Sequence, residues 1–261
     1  MGLLSIFWIF LALVSFRLPA PSTASWDASQ LRVRHNGIEP FSTIHGPSGA
    51  RLKLRAVIFD YGMVLSGPPD ASIQAEMLHR SGIPAAQAEA LYWKHRHDYD
   101  RGDLNGLSYW QTILDEGGVA YPPELIAELA QLDARMWTSS NQPLVDWQAK
   151  LRAAGLKTAI LSNLGDVVKE SVVRNLPWVR NFDVQVFSYL LRVIKPAPAI
   201  YLHTLAALGT APEETLFLDD LPANVEAARA LGIIGIPYTG VADLKQAIRS
   251  LEIENSIPLP Q

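Results

Sequence analysis

The chain has 261 residues, 49% of them hydrophobic and 18% charged, which suits one large domain or a core with an inserted subdomain. Its formal charge of −4 and its lack of a basic block exclude the footprint of a nucleic-acid binder. The absence of cysteine excludes disulfides, zinc-thiolate sites and cysteine nucleophiles.

From Gly2 to Phe16 the chain is almost wholly apolar, and Arg17 precedes a stretch ending in Ser22-Thr23-Ala24. Residues 1–24 thus read as signal-like or anchor-like, although no basic residue precedes Arg17 and the run falls short of the roughly 20 residues of a bilayer span. Two expectations follow. The chain is exported or membrane-anchored, with membrane contact through this segment alone. Otherwise the working start lies further on and the protein is cytoplasmic. Residues 25–51 show no sustained periodicity and read as linker or disorder.

Leu54-Arg55-Ala56-Val57-Ile58-Phe59 reads as a buried strand that delivers Asp60 to its C-terminal end, and Tyr61–Pro69 turns the chain away. Residues 70–137 carry no convincing strand. Apolar residues recur there at helical spacing, as in Trp110/Ile113/Leu114 and Leu125/Ile126/Leu129/Leu132, and turn signals divide the region into about four helices. Alternation of strand and helix then resumes. A helix at 145–154 leads to a strand at 157–161 ending in Ser162-Asn163. A helix near 165–175, a short strand at 182–187 and a helix at 197–208 come next. A strand at 215–218 runs into Asp219-Asp220, and a helix at 222–231 precedes a last strand at 233–236. The expected fold is α/β: a Rossmann-like parallel sheet core at 52–68 and 138–252, with an α-helical cap subdomain inserted at 69–137.

Four polar clusters fall at or just after strand ends, where α/β sheets open their ligand crevice. Asp60 is a candidate nucleophile or metal ligand. Ser162-Asn163 offers a hydroxyl and backbone N–H groups ahead of a helix, suited to an anion. Lys195 stands before Pro196, a residue suited to opening a helix. Asp219-Asp220 is followed by Asn224. Carboxylates from two strands suggest a hard cation such as Mg2+. A cation, a lysine and an anion pocket around a carboxylate make a site for a small phosphorylated substrate, in which the carboxylate attacks phosphorus.

The segments AVIFDYGMVL, AILSNLGD, VIKPAPAIY and TLFLDDLPANVEAARALGI resemble, in order and spacing, the haloacid dehalogenase (HAD) superfamily over about residues 52–250. The resemblance implies a hydrolase of the phosphatase-like branch, with Asp60 as nucleophile. It implies that Ser162 and the Asn163 backbone bind phosphate, that Lys195 orients nucleophile and phosphate, and that Asp60, the Gly62 carbonyl and Asp220 hold the metal. Asp219 falls in a supporting position, and Asn224 replaces a frequent second acid.

The sequence departs from the phosphatase pattern at Gly62, where a general acid/base Asp is usual. This suggests a preference for good leaving groups, as in a sugar 1-phosphate or an acyl phosphate. Dehalogenation of a 2-haloacid uses the same nucleophile and tolerates glycine there, but Asp219-Asp220 argues against it. A non-catalytic binding module is the third reading, disfavoured by the retained nucleophile, lysine and metal acid. In the insert, the run Trp93–Asp100 reads as a solvated helix face with Trp93 in the cap core. The functional alternative is that some of His95, Arg96, Tyr99 and Arg101 face the crevice and read the substrate.

Overall fold

The computed structural model describes residues 53–261, so the signal-like and linker segments at 1–24 and 25–51 lie outside the described residues. Among the described residues a five-stranded parallel sheet runs in the order β3-β2-β1-β4-β5. Its strands are β1 (Ala56–Phe59), β2 (Lys157–Ser162), β3 (Val184–Phe187), β4 (Thr215–Asp219) and β5 (Ile234–Pro237). Their near-continuous apolar runs fit strands covered on both faces. Alternation decides which face each side chain serves. Val57, Phe59, Ile160, Leu216 and Leu218 join one core cluster, and Ala56, Ile58, Ala159, Leu161 and Phe217 join the other.

The first face is covered by α5 (Gln142–Ala153), α6 (Asp166–Asn175) and α10 (Val241–Ser250), through Trp147, Val168 and Leu244 among others. The second is covered by α8 (Pro198–Leu208) and α9 (Pro222–Ala230), through Ile200, Tyr201 and Ala228. The chain lays β2 and β3 to one side of β1, then crosses back to lay β4 and β5 on the other. That reversal opens a crevice at the C-terminal ends of β1 and its neighbours.

Several expected elements shift by a few residues. The third strand starts at Val184 because Phe182 closes a single tight turn over Pro177–Asn181. α5 begins at Gln142, earlier than apolar spacing suggested, with a proline in its first turn. Pro196 does not open a helix: the Lys195–Pro196 peptide is cis, and α8 starts at Pro198. The amphipathic α10, which buries Leu244 and Ile248, is a further element beyond those read from the sequence.

Four helices between β1 and α5 form the inserted helical subdomain: α1 (Ala71–Arg80), α2 (Ala85–Arg101), α3 (Gly106–Gly117) and α4 (Glu124–Met136). The two passages that join it to the core run side by side. Asp70 N–H donates to the Met136 carbonyl (3.0 Å), and Asn141 N–H donates to the Leu65 carbonyl (2.8 Å). At its far end the cap rests on the core through α7 (Ser188–Leu191), where the Ser188 hydroxyl donates to the Asp100 carbonyl and accepts from Leu164 N–H at 2.9 Å. Gly165 makes this approach possible, since a Cβ there would lie 2.2 Å from the Tyr99 ring.

α2 is rotated relative to the expectation. It buries Ala88, Tyr92, Arg96, Tyr99 and Asp100, at i, i+4, i+8, i+11 and i+12, and turns Trp93 outward at 55% exposure. Trp93 therefore does not sit in the cap core. The expected membrane contact, export or anchoring is corrected to what the described residues show: none of their helices is long and apolar enough to cross a membrane, and the segment that suggested it lies outside them.

Candidate active site

Asp60 continues the β1 ladder by one residue, its N–H donating to the Leu218 carbonyl of β4 at 2.8 Å. Its Oδ1 accepts from Tyr61 N–H at 2.6 Å. The chain then makes one wide turn in which Ser66 N–H closes on the Tyr61 carbonyl (2.7 Å) and the Ser66 hydroxyl accepts from Met63 N–H (3.1 Å). Met63 sits in the left-handed region at φ 58°, a strained setting of order 1–3 kcal/mol for a residue with a side chain. Gly62 is not strained: its φ of −61° and ψ of 133° suit any residue, and a Cβ there would meet nothing closer than Trp137 Cζ3 at 4.0 Å. The backbone therefore does not demand glycine at this place.

β4, adjacent to β1, delivers Asp219 and Asp220. Asp219 is fully buried and its acceptors are filled. Oδ1 receives Leu221 N–H (2.9 Å) and Asn224 Nδ2 (2.9 Å), and Oδ2 receives Lys195 Nζ (2.6 Å) and Asn224 Nδ2 (3.1 Å). Lys195 Nζ also lies 2.8 Å from Asp60 Oδ1, so one ammonium bridges carboxylates from two strands. Asp220, half-buried, completes a set of three carboxylates with oxygens within 4.8 Å of one another.

Burial pushes the Asp60 carboxyl up to about 7. The Lys195 ammonium opposes the rise, and Asp219 and Asp220 add to it. Burial and Asp219 likewise raise Asp220. Burial works against the charge of Lys195, but Asp60 and Asp219 hold its ammonium above the ordinary lysine value. Three carboxylates thus face one ammonium. Oxygen donors alone, with an excess of negative charge, fit a hard divalent cation, and Asp219, with its oxygens already engaged, is the least suited of the three to bind it.

Ser162 ends β2, buried at 2% exposure. The β1–β2 register pairs Phe59 with Ile160, so Asp60 comes level with Leu161 and Ser162 follows one residue further. The Asn163 side chain faces the loop after β3. Its Oδ1 accepts from Lys195 N–H at 2.8 Å, and its Nδ2 donates to the Lys195 carbonyl at 3.0 Å. No pattern in the sequence points to this contact, because 32 residues of chain separate the partners. Asp60, Lys195, Asp219 and Asp220 are therefore brought together, with Asn163 fastened to Lys195.

The cap residues are placed differently. Arg96 is buried against Asp100 (Nε to Oδ1, 2.9 Å), Asp133 (3.6 Å) and the Tyr92 hydroxyl. Its guanidinium lies 5.4 Å and 5.5 Å from the Tyr92 and Tyr99 ring centres. His95 lies 3.2 Å from Glu116, and Arg101 pairs with Asp98 and Asp103. Each of these three side chains, and the buried Tyr99 ring, is committed within the cap or against the core rather than offered to a substrate.

A model of the haloacid dehalogenase-like hydrolase family matches residues 66–232. The chain is 27% identical to rat bifunctional epoxide hydrolase 2, over 80% of this chain and 40% of that protein. It is 24% identical to (S)-2-haloacid dehalogenase 4A of Burkholderia cepacia, over 76% of this chain and 92% of that protein. The solved structure of a HAD family enzyme of Bacteroides thetaiotaomicron, in complex with magnesium and inorganic phosphate, superposes with a TM-score of 0.58 at 21% identity, covering 70% of this chain and 93% of that one. The chain thus spans two fifths of the rat relative's length.

Proposed function

We propose that this chain, which belongs to the haloacid dehalogenase-like hydrolase family, is a Mg2+-dependent phosphatase of a small phosphorylated metabolite. The observation that carries this reading is the bridge of Lys195 between Asp60 and Asp219, with Asp220 in the same cluster. An aspartate held at a strand end by a lysine, in a site short of positive charge, is suited to attack an anionic centre once that charge is supplied. The magnesium and phosphate bound to the Bacteroides thetaiotaomicron enzyme are the pair of ligands this reading requires.

In this mechanism an Asp60 carboxylate oxygen attacks phosphorus, and the bond from phosphorus to the leaving oxygen breaks, giving an aspartyl-phosphate. Water then attacks phosphorus, the bond to Asp60 breaks, and inorganic phosphate leaves. Lys195 orients Asp60 and offers positive charge to the phosphoryl oxygens in both steps. The Ser162 hydroxyl and the Asn163 backbone N–H hold the phosphate from β2. Mg2+, held by Asp60, the Gly62 carbonyl and Asp220, with Asp219 in support through Lys195, would neutralise charge on the transferring group. Asp219 also keeps the ammonium of Lys195 pointed at Asp60.

Gly62 places no acid beside the leaving oxygen. Positioned acid/base groups contribute roughly 10²–10⁴-fold, so substrates whose leaving group departs without a proton are favoured. A sugar 1-phosphate or an acyl phosphate fits this requirement. The test is a screen of phosphorylated metabolites with and without Mg2+, with Asp60→Asn as control. We expect Mg2+-dependent phosphate release that disappears in the variant and runs slower on simple alkyl monoesters. Activity that survives Asp60→Asn would overturn the mechanism, and equal turnover of alkyl monoesters would overturn the leaving-group preference.

A second reading, hydrolysis at carbon, draws on the likeness to the Burkholderia cepacia haloacid dehalogenase and on Gly62. Chloride release from a 2-haloacid, unaffected by EDTA, would favour it.

A further inference from the structure

We propose that the Asn163 side chain is a positioning residue that clamps Lys195 in register with Asp60, a role separate from phosphate binding by its backbone; this rests on the reading of Lys195 given above. Lys195 lies in a segment outside strand and helix, between α7 and α8, after Arg192 in the left-handed region. Its side chain is 1% exposed and must reach two carboxylates at once, Asp60 at 2.8 Å and Asp219 at 2.6 Å. A loop backbone at such a place has no ladder to hold it, and buried N–H and C=O groups require partners. The Asn163 amide supplies both, accepting from Lys195 N–H and donating to Lys195 C=O. This pairing also fixes the amide's orientation, because a reversed amide would set donor against donor and acceptor against acceptor.

The chemistry selects asparagine. Aspartate keeps the acceptor but has no donor for the carbonyl, serine offers one atom instead of two, and glutamine carries an extra methylene. β2 and β3 are neighbours in the sheet, so the clamp ties the loop after β3 to the rigid end of β2. Lys195 then reaches Asp60 from a fixed base, and its ammonium does not drift along the crevice. Small misplacements of positioning groups have large kinetic effects, which is why a loop-borne lysine at a reacting centre benefits from such a tie.

The test compares the full-length chain with Asn163→Ala and Asn163→Asp. Each is labelled with an N-hydroxysuccinimide acetate reagent, and labelling of individual lysines is followed by mass spectrometry. Lys157, exposed at the start of β2, serves as the reference for reagent reactivity, and the Tm of each variant reports on overall integrity. In Asn163→Ala we expect Lys195 to label about tenfold faster with Lys157 unchanged, consistent with the loss of two buried hydrogen bonds. Asn163→Asp, which keeps the acceptor, falls between the two. Turnover in Asn163→Ala falls about tenfold while KM stays within about twofold, the signature of a lost orienting interaction. Lys195 labelling unchanged from wild type, or rising only in parallel with Lys157, would overturn the clamp. Should the wild type turn over no phosphate ester while labelling follows the expected pattern, the clamp stands and the phosphatase reading falls.

Discussion

Among the described residues two clusters of buried charge stand apart, one at the C-terminal edge of the sheet and one inside the cap. Both contain a buried cation held by two or more aspartates. They differ in how their members arrive. In the core, Asp60, Lys195 and Asp219-Asp220 come from three separate places in the chain, and one ammonium bridges two of the three carboxylates. In the cap, Arg96 meets Asp100 one helical turn away, and its Nη1 lies against the Tyr92 hydroxyl and Asp133. The cap cluster is closed on itself and braces a helix pair. The core cluster is left short of positive charge at an open crevice. Buried charge alone therefore does not mark a reactive site; an unmatched remainder at a strand edge does.

The largest test of this contrast is Arg96→Ala. It leaves Asp100 and Asp133 buried without their cation, and breaking a buried pair by removing one partner costs roughly 3–5 kcal/mol. Chemical denaturation of the variant should show a loss of that order. A loss no greater than that of an exposed arginine would mean that the cap cluster is not a brace.

A smaller effect separates the clusters by pH. Burial pushes the Asp100 carboxyl up to about 6, against the pull of Arg96 and with Asp133 adding to the rise. The folded chain thus binds a proton at a pH where the unfolded chain has already released it. This group's contribution to stability therefore falls as pH rises from about 4 through 6, and acidification restores it. Between pH 7 and pH 5 the gain from Asp100 is about 1 kcal/mol. Urea unfolding of Asp100→Asn at the two pH values should lack that gain. An identical pH dependence in variant and wild type would move the proton uptake elsewhere.

The sequence displayed the core cluster far better than the cap cluster, for a physical reason. A strand running in the apolar pattern of Ala56–Phe59 or Thr215–Leu218 announces where it ends, and the polar residue that follows stands at the sheet edge. The cap offered only spacing within one helix. The run from Trp93 to Asp100 contains aromatic and charged residues on every face, so the pattern does not say which face turns inward. Tyr92, Arg96 and Tyr99 go inward because Asp133 on α4 and Tyr109 on α3 receive them. Those partners are distant in sequence and invisible to periodicity. The Asn163–Lys195 pairing was hidden for the same reason: its specificity lies in two hydrogen bonds between residues 32 positions apart. The segment boundaries near Pro196 shifted because proline marks a bend as readily as a helix start.

The smallest effect distinguishes Arg101 from Arg96, five residues earlier on the same helix. Arg101 lies at the C-terminal end of α2 and pairs with Asp98 and Asp103 at a partly exposed position. Exposed pairs of this kind are screened by water and contribute little, however short their contacts. Its side chain is engaged with those two acids and not with the crevice, so it should neither hold the cap together nor read a substrate. Arg101→Ala should shift Tm by no more than about 2 °C and leave KM within about twofold of wild type. A rise in KM well beyond that, with Tm unchanged, would place Arg101 at the substrate. A large fall in Tm would instead extend the cap's brace to its exposed edge and erase the distinction between the two arginines.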